Sequence, residues 1–128
     1  MALDYVFWSS PVNGANTPAG YIYTWSPTFA NPNGGQGYWV GAASTAMQSG
    51  VGYIMRDVFS RNFVGVPRNG IYAPAISRGS NLNSGTAGPN GVMRTDTDDN
   101  WNLLGNPYPS AISINSFLTT NTNIDGFV

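Results

Sequence analysis

"WNLLGNPYPSAI", Trp101 to Ile112, sets two apolar runs around a Gly-Asn-Pro-Tyr-Pro centre. Trp101 and Leu103 share one strand parity, and Asn102 and Leu104 share the other. Neither helix nor regular strand continues through the centre. Pro107 and Pro109 each remove an amide donor and restrict the residue before them. Gly105 permits a backbone angle or a close approach unavailable to larger residues. Asn106 is placed to bond its own neighbourhood, and Tyr108 to cover the end of a sheet. The stretch reads as a structural corner made by Gly105, Asn106, Pro107, Tyr108 and Pro109. It holds no acid, base or nucleophile, which argues against a catalytic loop. The continuation "SAISINSFLTTN" fits two readings: a short helix with Ser110 capping a turn, or an extended segment with Ile112 and Ile114 on one face.

The rest of the chain repeats this theme of short apolar runs cut by breakers. There are 16 glycines and 9 prolines in 128 residues, too many for long helices, while 13% aromatic content is too high for a disordered linker. In "LDYVFWSSPV", Leu3, Tyr5 and Phe7 fall on one parity and Val6 and Trp8 on the other. Both faces are bulky, as expected of a strand covered twice or lying near an interface. "YIYTW" places Tyr21, Tyr23 and Trp25 together with Ile22 opposite, and Tyr38 to Val40 is a further strand. "YIMRDVFSRNFVGV" reads as a hairpin broken near Ser60 and Arg61, with Phe59 and Phe63 as core anchors. "VMRT" and "WNLL" complete a set of seven to nine short strands. Asn-Gly pairs at Asn13, Asn33, Asn69 and Asn90 mark turns at irregular spacing, which argues against a repeat fold. The expected architecture is all-β, a jelly-roll-like β-sandwich forming one domain or domain fragment over residues 1–128. The ending "NIDGFV" reads as a strand just beginning, so the sandwich is expected to be incomplete at its C-terminus.

Composition excludes much chemistry. Five arginines, six aspartates and a net charge of −1 provide no field for nucleic acid or an anionic membrane surface. No apolar run is long enough to insert directly into a membrane as a helix. Histidine and cysteine are absent, which rules out a histidine-based triad and thiolate metal sites. The aspartates show no readable pairing for glycosidic hydrolysis, so an enzyme is not expected. "DTDDN" is foremost a solvated turn. Its second reading is a Ca²⁺ loop with Asp96, Asp98 and Asn100 as oxygen ligands, although the glycine and distal glutamate of the helix-loop-helix calcium motif are missing. "FVGVPRNG" lacks phosphate-loop spacing, and Arg68 is expected to project from its turn.

The aromatic residues raise two functional readings. Tyr23, Trp25, Tyr38 and Trp39 are the candidate ligand-binding set, since flat rings stack on sugar faces or anchor protein contacts. Burial between two sheets is the competing use of the same residues. A sugar platform requires at least two coplanar rings on the surface.

"DYVFWSSPV", "GVGYI", "FVGVPRNG" and above all "WNLLGNPYPSAI" resemble a pattern found in large secreted or cell-surface proteins of Bacteroidetes, the substrates of the type IX secretion system. The resemblance covers Asp4 to about Phe117. It implies export to the cell surface and a β-rich extracellular module beside adhesion, carbohydrate-binding or immunoglobulin-like domains, and it implies no catalytic residues. Relatives often carry an aspartate soon after the Ser-Ala-Ile portion, where this chain has Ser113. The expected role is a non-catalytic structural or adhesion module, contacting other domains of the same surface protein, a protein or a glycan. The alternative is a carbohydrate-binding module that stacks Trp and Tyr on sugar, with structural calcium.

Overall fold

The structure is a computed structural model that describes residues 4–32, 35–56, 60–79 and 100–124. Four strands, β1 (Tyr5–Trp8), β2 (Ile22–Ala30), β3 (Gln36–Gly41) and β4 (Tyr53–Arg56), form one antiparallel sheet in the order β1-β4-β2-β3. A helix, α1 (Ile114–Thr120), follows the proline corner. The fold is therefore β-dominated. Among the described residues it contains one sheet where a two-sheet sandwich was expected, and four strands instead of seven to nine.

The register sorts the side chains into two faces, because directly opposed residues in an antiparallel pair point the same way. Val6 lies opposite Met55, Trp8 opposite Tyr53, and Met55 opposite Ile22. This is the core face. Met55 and Ile22 are fully enclosed, and Val12, Ala15, Ala42, Met47 and Tyr53 close around them, with Trp8, Val51 and Phe63 packed at the margin. Val12, Ile22, Met47 and Met55 each contribute about 1.5–3 kcal/mol by this burial, and the two alanines less. The Trp8 and Phe63 rings meet at 6.0 Å, so Phe63 anchors as expected, while Phe59 lies outside the described residues.

The expected strands after Arg56 become isolated contacts. Pro67 bridges Val12 and Leu104 bridges Val51, one residue pair each, while a third bridge, Asn16–Ala46, lies ahead of Arg56. "WNLL" is thus a single bridge rather than a strand. "VMRT" lies outside the described residues. β2 runs further than "YIYTW" suggested, through Pro27. Its pairing with β4 ends at Tyr23, and its register with β3 shifts between Ser26 and Ala30, so no ladder bond is asked of the proline nitrogen. The ambiguous "SAISINSFLTT" resolves as helix. Its cap is Ser113, whose hydroxyl accepts from the Ser116 amide at 3.3 Å, and not Ser110.

The proline corner docks on the sheet's β4 end. Gly52 N–H donates to Leu103 O (2.9 Å) and Gly105 N–H to Gly50 O (3.0 Å), while the Ser9 hydroxyl donates to Asn106 O (2.8 Å). The Asn106 side chain ties the bend internally: its Nδ2 donates to Ser110 O at 2.7 Å, and its Oδ1 accepts from Tyr108 N–H at 3.0 Å. Tyr108 reaches across to the Gly70–Tyr72 segment. Its hydroxyl donates to Gly70 O at 2.7 Å, and its ring meets Tyr72 edge-on at 5.8 Å. Asn106→Ala removes both local bonds at a half-buried site and is expected to cost about 1–2 kcal/mol, read from a urea unfolding curve.

Candidate functional site

The second face of the sheet carries a band of aromatic side chains. Tyr5 lies opposite Arg56 and Phe7 opposite Ile54; Ile54 also faces Tyr23; Tyr23 faces Gly41, and Trp25 faces Trp39. Tyr5, Phe7, Tyr23, Trp25 and Trp39 therefore share one surface that crosses all four strands. Phe7 is 69% exposed, Tyr5 45% and Trp39 36%, while Tyr23 and Trp25 are half-buried. Ile54, flanked by Phe7 and Tyr23 in the register, is buried at the centre of the band. The alternation that sends Val6, Trp8, Ile22 and Met55 inward is what sends these rings outward.

The rings are arranged in edge-to-face pairs. Trp25 and Trp39 have centroids 5.2 Å apart and planes at 77°, and Tyr5 and Tyr23 are 6.4 Å apart at 61°. Such pairs favour each other by about 0.5–1.5 kcal/mol and fix the relief of the surface. At the rim the Arg56 guanidinium lies 5.1 Å from the exposed Tyr21 ring. The band offers ridges and grooves rather than a flat platform.

Of the residues chosen from sequence, the structure brings Tyr23, Trp25 and Trp39 together. Tyr38 lies opposite Ser26 and so points to the other side of the sheet. Tyr5 and Phe7 join this face beyond the four candidates, and their shared parity in "DYVFW" is the sequence signal for it. Asp96 and Asp98 lie outside the described residues; Asn100 is half-buried, and its main-chain carbonyl accepts from the Asn102 amide at 3.1 Å. Among the described residues, no group of three metal-ligating side chains of histidine, cysteine or acidic type converges. No helix there is long and apolar enough to cross a membrane.

Arg68 corrects a sequence expectation. It does not project from its turn but is 6% exposed. Its Nε donates to Asn13 Oδ1 (3.1 Å), and its Nη1 and Nη2 reach Ser10 O (3.5 Å) and Met47 O (3.4 Å), while its guanidinium carbon stands 5.9 Å from the Tyr72 ring centroid. Its own N–H donates to Pro11 O at 2.9 Å. One guanidinium thus ties its own turn to the Ser10–Asn13 stretch and to Met47, a structural role in place of a contact surface.

Comparison with known families adds one finding, a family model that matches residues 1–128 and describes a domain of unknown function. The chain belongs to the DUF8693 family. The match spans every element described above, so the sheet, the proline corner and α1 all lie within the family's domain. No curated protein and no solved structure matches the DUF8693 chain.

Proposed function

We propose that this DUF8693 chain is a non-catalytic structural or adhesion module of an exported bacterial surface protein, a jelly-roll-like unit whose aromatic sheet face is its contact surface. The observation that carries this reading is the placement of Tyr5, Phe7, Tyr23, Trp25 and Trp39 on the face opposite the core, with Phe7 mostly exposed. Tyr, Trp and Arg supply most of the binding energy at protein interfaces, while lysine and glutamate, both absent from this chain, are depleted there. A protein surface is the partner this relief fits, with other domains of the same surface protein as the nearest source. The 77° between Trp25 and Trp39 argues against a sugar lying flat across both rings. Export is supported by the "WNLLGNPYPSAI" resemblance.

The test is to probe the purified chain against immobilised extracellular proteins and against a glycan array, each with calcium and with chelator. The expected result is protein binding that chelator leaves unchanged, with a silent glycan array. Glycan binding abolished by Trp39→Thr would replace this reading with a carbohydrate-binding module.

A further inference from the structure

We propose that Asn69–Gly70 is a self-modification site, a turn that converts its own asparagine to aspartate and isoaspartate, and that the fold holds the equivalent Asn13–Gly14 pair inert. Both pairs have the same two residues and both asparagines are exposed. Their surroundings differ. The Asn69 side chain is folded back over the peptide that follows it, with Oδ1 accepting from Gly70 N–H at 2.9 Å. This brings the attacking nitrogen beside the amide it must attack, where proximity counts most. The two glycines are alike, with φ of +97° at Gly70 and +77° at Gly14 and nothing within 4 Å of an added Cβ at either, so the contrast lies at the asparagines. Asn13 is held on three sides. Its Oδ1 accepts from Arg68 Nε, its N–H donates to Val66 O at 3.0 Å, and Gly65 packs so close to its carbonyl that an added Cβ would stand 2.3 Å away. Turning the side chain for ring closure would break the Arg68 bond, and the close Gly65 packing restricts the turn of the Asn13 carbonyl that must accompany it.

The chemistry needs only water. Gly70 N loses its proton to solvent base and bonds to Asn69 Cγ; the Cγ–Nδ2 bond breaks, and Nδ2 leaves as ammonia with a proton from solvent. Water then opens the cyclic imide at either carbonyl, giving aspartate or isoaspartate. One water is consumed, one ammonia is released, and no electrons are exchanged. The product adds a negative charge, and in the isoaspartate form a main-chain methylene, next to the Gly70 carbonyl that accepts from the Tyr108 hydroxyl.

The test is to age the folded full chain at mildly alkaline pH, digest it with trypsin under mildly acidic conditions, and follow both sites by fragmentation mass spectrometry. Cleavage after Arg68 and Arg78 isolates Asn69 in its own peptide. The expected result is conversion several-fold faster at Asn69 than at Asn13, rising with pH, with the two rates converging in denaturant. Equal or faster conversion at Asn13 in the folded chain, retention of the Asn69 amide, or a gap that persists in denaturant would each overturn the proposal.

Discussion

Gly105→Ala is expected to destabilise the fold by about 3 kcal/mol, lowering the thermal midpoint by about 10 °C. The reason is a close approach, with no special dihedral angle involved. A Cβ at this position would stand 2.4 Å from Ser9 Cβ and 2.8 Å from Val51 O. Neither neighbour yields easily. Val51 O belongs to the main chain just before β4, and Ser9 follows β1 directly while its hydroxyl holds Asn106 O. Relief therefore requires lifting the corner away from the sheet, which breaks the Gly105–Gly50 and Gly52–Leu103 bonds. Amide exchange at Gly52 and Gly105 should accelerate with the loss of stability. A cost under about 0.5 kcal/mol would show that the corner does not dock on the sheet.

The second large effect is expected at Arg68. Arg68→Met is expected to cost about 3 kcal/mol and Arg68→Lys about 2 kcal/mol, measured by urea unfolding. Methionine keeps much of the buried apolar stem but leaves Ser10 O, Met47 O and Asn13 Oδ1 without this donor. Lysine keeps the charge, yet one ammonium cannot reproduce a planar fork that reaches three acceptors on two segments, Ser10–Asn13 and Met47. A near-native Arg68→Lys would mean that charge alone suffices and that the fork geometry carries no stability.

Local pattern revealed the residue directions of the sheet but not its extent. Ile22 inward with Tyr23 and Trp25 outward follows from alternation, and the Gly105–Pro109 bend follows from missing donors, so both are readable from neighbouring residues. The order β1-β4-β2-β3 is not, because it pairs Tyr5–Trp8 with a strand almost fifty positions away. The apolar runs after Arg56 resemble strands, but Pro67 and Leu104 meet their partners at single residues and extend no ladder. Arg68 looked exposed because it sits in an Asn-Gly turn; its acceptors at Ser10, Asn13 and Met47 are invisible to any local reading. The same limit explains the candidate site. Trp25 and Trp39 were recognisable as a pair of strand aromatics, whereas Tyr5 and Phe7 join them only once β4 bridges β1 to β2. Tyr38, adjacent to Trp39, turns to the opposite side for the reason that any neighbour in a strand does.

On the proposed reading, the aromatic face is a contact surface and not part of what holds this chain together. The most direct measurement compares the native chain with the Phe7→Thr, Trp39→Thr double variant in both protein binding and urea unfolding. Threonine retains strand preference, so the expected loss of stability is within about 1.5 kcal/mol, most of it from the Trp25–Trp39 contact. Binding to the protein partner captured by the native chain is expected to weaken by at least about tenfold. A double variant that binds as the native chain does, or one that unfolds outright, would contradict the account.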